Sequence, residues 1–313
     1  MKQIIAIALL LMCSSFGYAQ RNNNNKGSVV NNSRQNQQNV TNRPSNKKPT
    51  APLRWDDSLK AICYDGKTYP MVFVEGGTFT MGEKYDNGNW SPHDIDRYGE
   101  KHSENSVLVR STLPSYYIGM FEVPQDLWEK VMGSNPIKTY QKEHGFPHPE
   151  LIGKRKPVTF VAPDPIKEFL SKLNNLTGLI FRLPTEEQWE FAARGGVKSQ
   201  GYKYSGSNSL NSVGWYSENS AKTIHDVGMK SPNELGIYDM SGNVEELCDG
   251  RYGYIKYLND NFFSYDIVTR GGSYTDSNSS CTSTHRGRYD MDRSGCAVEG
   301  VYYVGFRIVL SEE

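Results

Sequence analysis

Asp239 and Glu246 bracket a Ser241-Gly242-Asn243 turn inside the stretch Pro232-Asn-Glu-Leu-Gly-Ile-Tyr-Asp-Met-Ser-Gly-Asn-Val-Glu-Glu-Leu-Cys248. A Gly-Asn turn points its carbonyls away from any regular ladder. Carboxylates and free carbonyls on one short irregular loop form an oxygen-rich site of the kind that suits calcium. The same residues also describe a tight turn whose Asp and Asn bond only the backbone. The histidines offer less. His93, His102, His144, His148, His225 and His285 lack metal-ligand spacing. His144 and His148 would share a helix face, but Gly145 and Pro147 lie between them and predict a loop. No serine- or cysteine-hydrolase constellation is present.

Several elements must position these residues. Met71 to Met81 predicts two short strands joined as a hairpin at Glu75-Gly76-Gly77. Leu113 to Val123 is an aromatic and branched run that predicts a strand. Pro124 opens a helix over Gln125 to Met132, stopped by Gly133 and Pro136, with Leu127, Trp128 and Val131 facing a core. Pro157 to Val161 predicts a buried strand. Ala162 to Thr177 predicts a helix with Ile166, Phe169, Leu170 and Leu173 at helical spacing, ended by Gly178. Thr185-Glu186-Glu187-Gln188 is a capping box opening a helix that buries Trp189, Ala192 and Ala193 and ends at Gly195-Gly196. The glutamates of that helix read as capping and surface charges.

The chain has 313 residues, 37% hydrophobic and 22% charged, enough for one large domain or two small ones. Its 35 basic and 35 acidic residues give zero formal net charge, and no basic stripe interleaves with aromatics, which argues against a nucleic-acid partner. The 29 glycines and 20 tyrosines favour a loop-rich domain over a helical bundle. Residues 1–19 read as a secretory signal: Lys2, an apolar Ile4 to Met12 core, and small residues in Gly17-Tyr18-Ala19. The rival is lipidation at Cys13, where Met12 stands in place of a small residue; only that would make a membrane a partner. Residues 20–52 are rich in Asn and Gln and predict a disordered tether. The remainder, 53–313, is the folded domain. An exported location, periplasmic, outer-membrane-associated or extracellular, follows. Cys63, Cys248, Cys281 and Cys296 would survive cleavage, and an even number in an exported protein predicts disulfides.

Gly236-Ile-Tyr-Asp-Met-Ser-Gly-Asn-Val244, Arg270-Gly-Gly-Ser-Tyr274 and Val304-Gly-Phe-Arg-Ile-Val-Leu310 resemble the formylglycine-generating enzyme (sulfatase-modifying factor) family. Met71 to Gly82 and Arg182 to Gly196 resemble the same family in the same order. The resemblance runs from about Val72 to Leu310. It implies an α+β, C-type-lectin-like fold, rich in irregular loops. It implies one calcium on the Asp239 side chain, the Gly242 and Val244 carbonyls and the Glu246 carboxylate, and more weakly another on Asn219 and Ser220, with Asp226 as a guessed third partner. Family members usually carry Thr-Asn before the first helix, where this chain has Glu122 and Val123. In the family's enzymes two cysteines after the Arg-Gly-Gly-Ser motif hold copper(I), which soft thiolates suit. The second position is Cys281, but the first is Asp276, a hard ligand. The enzymes also have Trp, beside the motif serine Ser273, where this chain has Glu245.

The resemblance with those departures implies a non-catalytic, exported member that binds a protein, peptide or glycan. Its surface would be the 270–300 segment: Tyr274, Asp276, His285, Arg286, Arg288 and Tyr289 are polar, aromatic and adaptable. Arg286 and Arg307 also read as pins that hold loops to carboxylates. If the chain is active, Cys281 and Ser273 are its catalytic residues, copper(I) its metal, and conversion of a sulfatase cysteine to formylglycine its reaction. A further alternative is a structural component of envelope secretion or gliding machinery. Resemblance to non-catalytic relatives pairs Cys248 with Cys281, and Cys63 with Cys296. The family's iron-dependent branch uses a histidine triad and an extra helical domain, and neither is found here.

Overall fold

The computed structural model describes residues 52–82, 108–145, 148–256, 263–289 and 301–311. The expected signal peptide, Cys13, nearly all of the expected 20–52 tether, His93, His102 and Cys296 lie outside them. The fold begins with three antiparallel strands: β1 (Arg54–Asp56), β2 (Ala61–Tyr64) and β3 (Lys67–Val74). Next come β4 (Gly77–Met81), β5 (Val109–Leu113) and β6 (Tyr116–Gly119). The expected hairpin at Glu75-Gly76-Gly77 does not form. β3 pairs with β2 and β6, whereas β4 leaves to pair with β5. At Gly76 the chain runs against Leu113 and Pro114, where a Cβ would lie 2.6 Å from the Leu113 carbonyl oxygen. That approach steers β4 out of the sheet, and the predicted Leu113 to Val123 strand is split between two sheets.

Helix α1 (Gln125–Met132) stands as predicted, with Leu127 and Trp128 buried and Val131 packed against them. Pro136 does more than end it. It opens α2 (Pro136–His144), because the Asn135 side chain caps the new helix by accepting from the amides of Ile137 and Lys138. His144 is therefore helical, and only His148 lies beyond the Gly145 stop. Helix α3 (Pro163–Thr177) buries Ile166, Phe169 and Leu173 and ends on left-handed Gly178. The predicted strand at 157–161 is buried but irregular, since Phe160 takes a φ of 59°. The short strand β7 (Phe181–Arg182) leads to α4 (Glu186–Ala193), whose Thr185–Gln188 capping box is complete.

After the single-turn helix α5 (Leu210–Val213) come β8 (Glu245–Lys256), β9 (Phe263–Arg270), β10 (Arg286–Tyr289), β11 (Val304–Gly305) and β12 (Val309–Ser311). A six-stranded sheet runs β1-β2-β3-β6-β12-β7, and a four-stranded sheet runs β10-β9-β8-β11. The main core packs Trp128 of α1 and Phe169 of α3 against Phe306, with Trp128 and Phe169 stacked at 5.1 Å. A second cluster packs Trp189 and Ala192 of α4 against Val74, Ile118 and Val309. In β3, Tyr69 and Met71 belong to the first cluster and Val74 to the second, as the alternation of a strand requires. The last strand, β12, thus sits inside the long sheet between β6 and β7, and irregular loops carry the chain from α5 to β8.

Candidate functional site

Asn243 organises those loops. Its φ of 62° belongs to the left-handed region, which Asn tolerates better than most residues. Its amide nitrogen donates to Glu122 at 2.8 Å, its side-chain oxygen accepts from His225 N–H at 2.9 Å, and its carbonyl accepts from Tyr274 N–H at 2.9 Å. Preceding it, Gly242 has a φ of 81°, and a Cβ there would lie 2.2 Å from the Trp215 carbonyl oxygen. The Gly-Asn pair is thus fixed by both conformation and space.

The carboxylates of this turn face a buried guanidinium. Arg307 donates to both oxygens of Glu246 at 2.6 Å, and Trp189 adds a third donor at 2.7 Å. Arg307 also caps the Gly119 and Tyr238 carbonyls. Asp239 accepts from Gly228 N–H through Oδ2 at 2.7 Å, while its Oδ1 is buried without a hydrogen-bond partner. Glu122 completes the group, accepting from Val244 N–H as well as Asn243. Burial pushes the Asp239 carboxyl up to about 6, and burial with the neighbouring Asp239 and Glu246 holds Glu122 well above the carboxylate range. Three carboxylates against one arginine leave excess negative charge that protons or a further cation must balance.

The arrangement bears on calcium. The Asp239 Oδ1 atom is an orphaned hard oxygen of the right type, and the Gly242 and Val244 carbonyls belong to the same turn. Glu246 joins only by sharing an oxygen already used by Arg307 or Trp189. Among the described residues no group of three or more His, Cys, Asp or Glu is placed to hold a metal ion, so backbone oxygens must supply part of any coordination. The weaker position is otherwise employed. Asn219 Oδ1 accepts from Tyr216 N–H, its amide nitrogen donates to Gly214, and the Ser220 carbonyl accepts from His225 Nε2 at 2.8 Å. Among the described residues Asp226 bonds neither of them, and its charge acts on His225.

Across the turn lies the Arg270-Gly-Gly-Ser motif. Arg270 is wholly buried and pairs with Glu190 and, at 3.6 Å, with Glu186. Glu186 and Glu190, two of the three glutamates of α4, therefore serve the interior, correcting their reading as surface charges; Glu190 is 0% exposed. Gly272 has a φ of 65°, and a Cβ there would sit 2.9 Å from the Cys281 sulfur. Ser273 comes next. Its N–H and Oγ–H both donate to Asp276 Oδ2, at 2.8 and 2.6 Å. Asp276 is thus turned inward to close its own loop. Beside it, the half-buried Glu245 carboxylate accepts from Thr269 Oγ1 at 2.5 Å. Burial, with the nearby Asp276 charge, pushes Glu245 up to about 7. Burial raises the Cys281 thiol strongly, and Asp276 and Glu245 add to that.

The cysteines are not joined as expected. Cys63, Cys248 and Cys281 are free thiols. Cys248 packs with Trp189 and Met240, whereas Cys281 packs with Tyr204, Leu210 and Tyr216. Their sulfurs approach different carbonyls, those of Glu246 and Ser273. The two side chains belong to separate clusters, so the Cys248–Cys281 pairing is corrected; Cys296 lies outside the described residues.

The expected recognition residues divide. Tyr289 is buried in the main core, and Arg286 is held by Glu186 at 2.5 Å, so neither forms an open surface. Arg288 lies on β10 opposite Val268, and His285 is half-buried with its N–H on the Thr282 carbonyl. Tyr274 leads elsewhere. It lines a cleft of about 490 Å³ with Thr275, Tyr302, Leu151, Glu150 and Lys222. Sequence reasoning missed Glu122, Glu190 and the far wall of this cleft. The displaced Thr-Asn pair was the one signal for Glu122; the cleft residues carry no motif.

Residues 63–312 match the sulfatase-modifying factor enzyme 1-like domain. The chain belongs to the sulfatase-modifying factor family. Family membership, the α+β fold and its irregular loops agree with the sequence reading. A chaperone protein LppX from Paenibacillus barcinonensis is 28% identical over 72% of this chain and 85% of that relative. An inactive Cα-formylglycine-generating enzyme 2 from Bos taurus is 37% identical over 23% of this chain and 27% of that relative. Among solved structures, Treponema denticola variable protein 1 aligns with a TM-score of 0.56 at 25% identity, covering 79% of this chain and 96% of that one. CarF aligns with a TM-score of 0.53 at 23% identity, over 78% of this chain and 99% of its own, a likeness of fold.

Proposed function

We propose that this protein is an exported, non-catalytic sulfatase-modifying-factor relative that binds a protein, peptide or glycan. The observation that carries the reading is Asp276, held by two hydrogen bonds from Ser273 where the enzymes of the family place a thiolate. A carboxylate bound in this way is a poor partner for copper(I), and Cys281 alone is a buried thiol with a raised pKa. Glu245, within reach of the Asp276 charge, adds a carboxyl group where the enzymes have an indole. The names of relatives support the same direction: one is called a chaperone protein, another an inactive enzyme. Export is supported by Lys2, the apolar 4–12 run and the small residues before Gln20. Calcium on the 239–246 turn is part of this reading, supported by the unpartnered Asp239 Oδ1.

The test is direct. The mature protein, supplied with copper(I) and oxygen, is incubated with a Cys-X-Pro-X-Arg peptide, and the peptide is followed by mass spectrometry for loss of thiol and gain of aldehyde. The expected result is unmodified peptide. Catalytic conversion that disappears in Cys281→Ser would restore the oxidase alternative.

A further inference from the structure

The cleft beside Tyr274 has features the ancestral chemistry does not use. Its walls are tied to one another. Ser220 Oγ donates to the Tyr274 carbonyl at 2.9 Å and accepts from Lys222 N–H at 3.2 Å. Ser217 N–H donates to the Asp276 carbonyl at 2.9 Å. Opposite, Thr223 Oγ1 and Lys156 Nζ both donate to the Glu150 carbonyl, at 3.2 and 2.7 Å. One loop thus binds the motif segment on one side and the Glu150 turn on the other.

That loop holds unusual backbone. Ala221 and Lys222 have φ values of 53° and 60°, in the left-handed region that costs a residue with a Cβ about 1–2 kcal/mol. Two such residues in succession, kept in place by buried hydrogen bonds, fix where Lys222 leaves the chain. Lys222 lines the cleft and makes no ion pair among the described residues. On the other wall Glu150 is paired with His148. Between them lie the rings of Tyr274 and Tyr302, 6.4 Å apart and tilted by 60°. Tyr302 is 44% exposed, a large ring facing solvent over a formed cavity.

Beside His148, Glu150 and Lys222, the cleft is lined by four hydroxylic residues. Ser217, Tyr274, Thr275 and Tyr302 each bring a hydroxyl, which both donates and accepts. A polyol presents the same dual character on vicinal hydroxyls, and its C–H faces suit an aromatic wall. A peptide backbone would instead call for an open strand edge or fixed amide partners, and this cleft is lined by side chains from turns and a short 3-10 helix, with no strand among them. The uncompensated Lys222 adds a preference for an anionic group.

We infer that this cleft is a binding site for an acidic saccharide, a uronic-acid-bearing glycan, with Tyr302 as the stacking wall, Lys222 on the carboxylate, and Glu150 with the hydroxyls on the ring. The inference rests on the reading of the chain as a binding protein and names its ligand. The experiment is titration calorimetry of the full mature protein with uronate oligosaccharides (galacturonate, alginate and hyaluronan fragments), beside maltotetraose and a Glu-Tyr-Glu peptide. Lys222→Gln and Tyr302→Ala, both at exposed positions, are expected to keep the wild-type melting temperature. The expected result is binding of a uronate that each substitution weakens about tenfold, with Lys222→Gln also removing its salt sensitivity. Absence of heat with every uronate overturns the inference. So does uronate binding indifferent to both substitutions, or maltotetraose binding as tightly. Binding of the peptide alone, lost in Tyr302→Ala, overturns the saccharide assignment and leaves the binding-protein reading intact. Conversion of the Cys-X-Pro-X-Arg peptide in the oxidase assay would instead defeat that reading.

Discussion

A buried carboxylate is either paired, protonated or bound to a cation, and this protein uses the first two within one loop cluster. Glu246 is paired by Arg307 and Trp189. Substituting Arg307→Met leaves that carboxylate buried with one donor, beside Glu122 and Asp239. The expected loss is about 3–5 kcal/mol in urea denaturation, partly recovered by adding Glu246→Gln. Glu245 takes the other course. Its folded-state pKa, about 7, lies above the ordinary 4.5, so the fold favours the protonated form. Its stabilising contribution is full below about 4.5 and is lost as pH rises through about 7. The melting temperature is expected to fall across that window, and Glu245→Gln to flatten that part of the profile. An unchanged slope in the variant would assign the titration to Asp239 or Glu122.

At the scale of elements, the connection after α1 shows how a short polar residue redirects a chain. Asn135 caps α2 through its oxygen and, through its amide nitrogen, donates to Gln125 at 3.0 Å and Glu129 at 2.8 Å. It is 5% exposed. Asn135→Ala removes the cap and leaves the Gln125 oxygen one donor short. A loss of about 1–2 kcal/mol is expected by chemical denaturation. A loss below about 0.3 kcal/mol would mean water replaces the cap. The sequence reading saw Pro136 only as a stop because proline ends one helix and begins another with equal ease. Nearby, the Gly76 approach to Leu113 decided that β3 and β4 part company, a contact between segments far apart in the chain.

At the scale of the whole molecule, the Glu122, Asp239, Glu246 and Arg307 cluster ties the start, middle and end of the domain together. Glu122 precedes α1, Asp239 and Glu246 flank the Gly-Asn turn, and Arg307 lies between β11 and β12. A cation at the Asp239 oxygen would therefore stabilise the domain globally. Millimolar calcium is expected to raise the melting temperature by several degrees, since saturating ligand at about 100 times its dissociation constant adds about 2.7 kcal/mol. Asp239→Asn should abolish the increment, read by scanning calorimetry with and without chelator. No increment in the wild type would mean that protons and Arg307 alone balance the cluster.

Much of this protein is legible in one dimension. The helices at 125–132, 163–177 and 186–193 follow from caps, stops and apolar spacing. The family follows from motifs whose glycines are fixed by contacts, as Gly242 and Gly272 show. The departures at Asp276 and Glu245 were visible as wrong chemistry at known positions. Tertiary structure alone decided the rest. The α4 glutamates look like surface charges until Arg270, eighty positions beyond Glu190, is folded onto them. Cys248 and Cys281 look like partners until packing sends them to separate clusters. The cleft joins Glu150 of a short 3-10 helix with Lys222, Tyr274 and Tyr302 of three separate turns. Capping and periodicity are local and are written in neighbouring residues. Pairing of buried charges, thiols and cleft walls depends on which distant segments share a volume, and only the closed fold determines that.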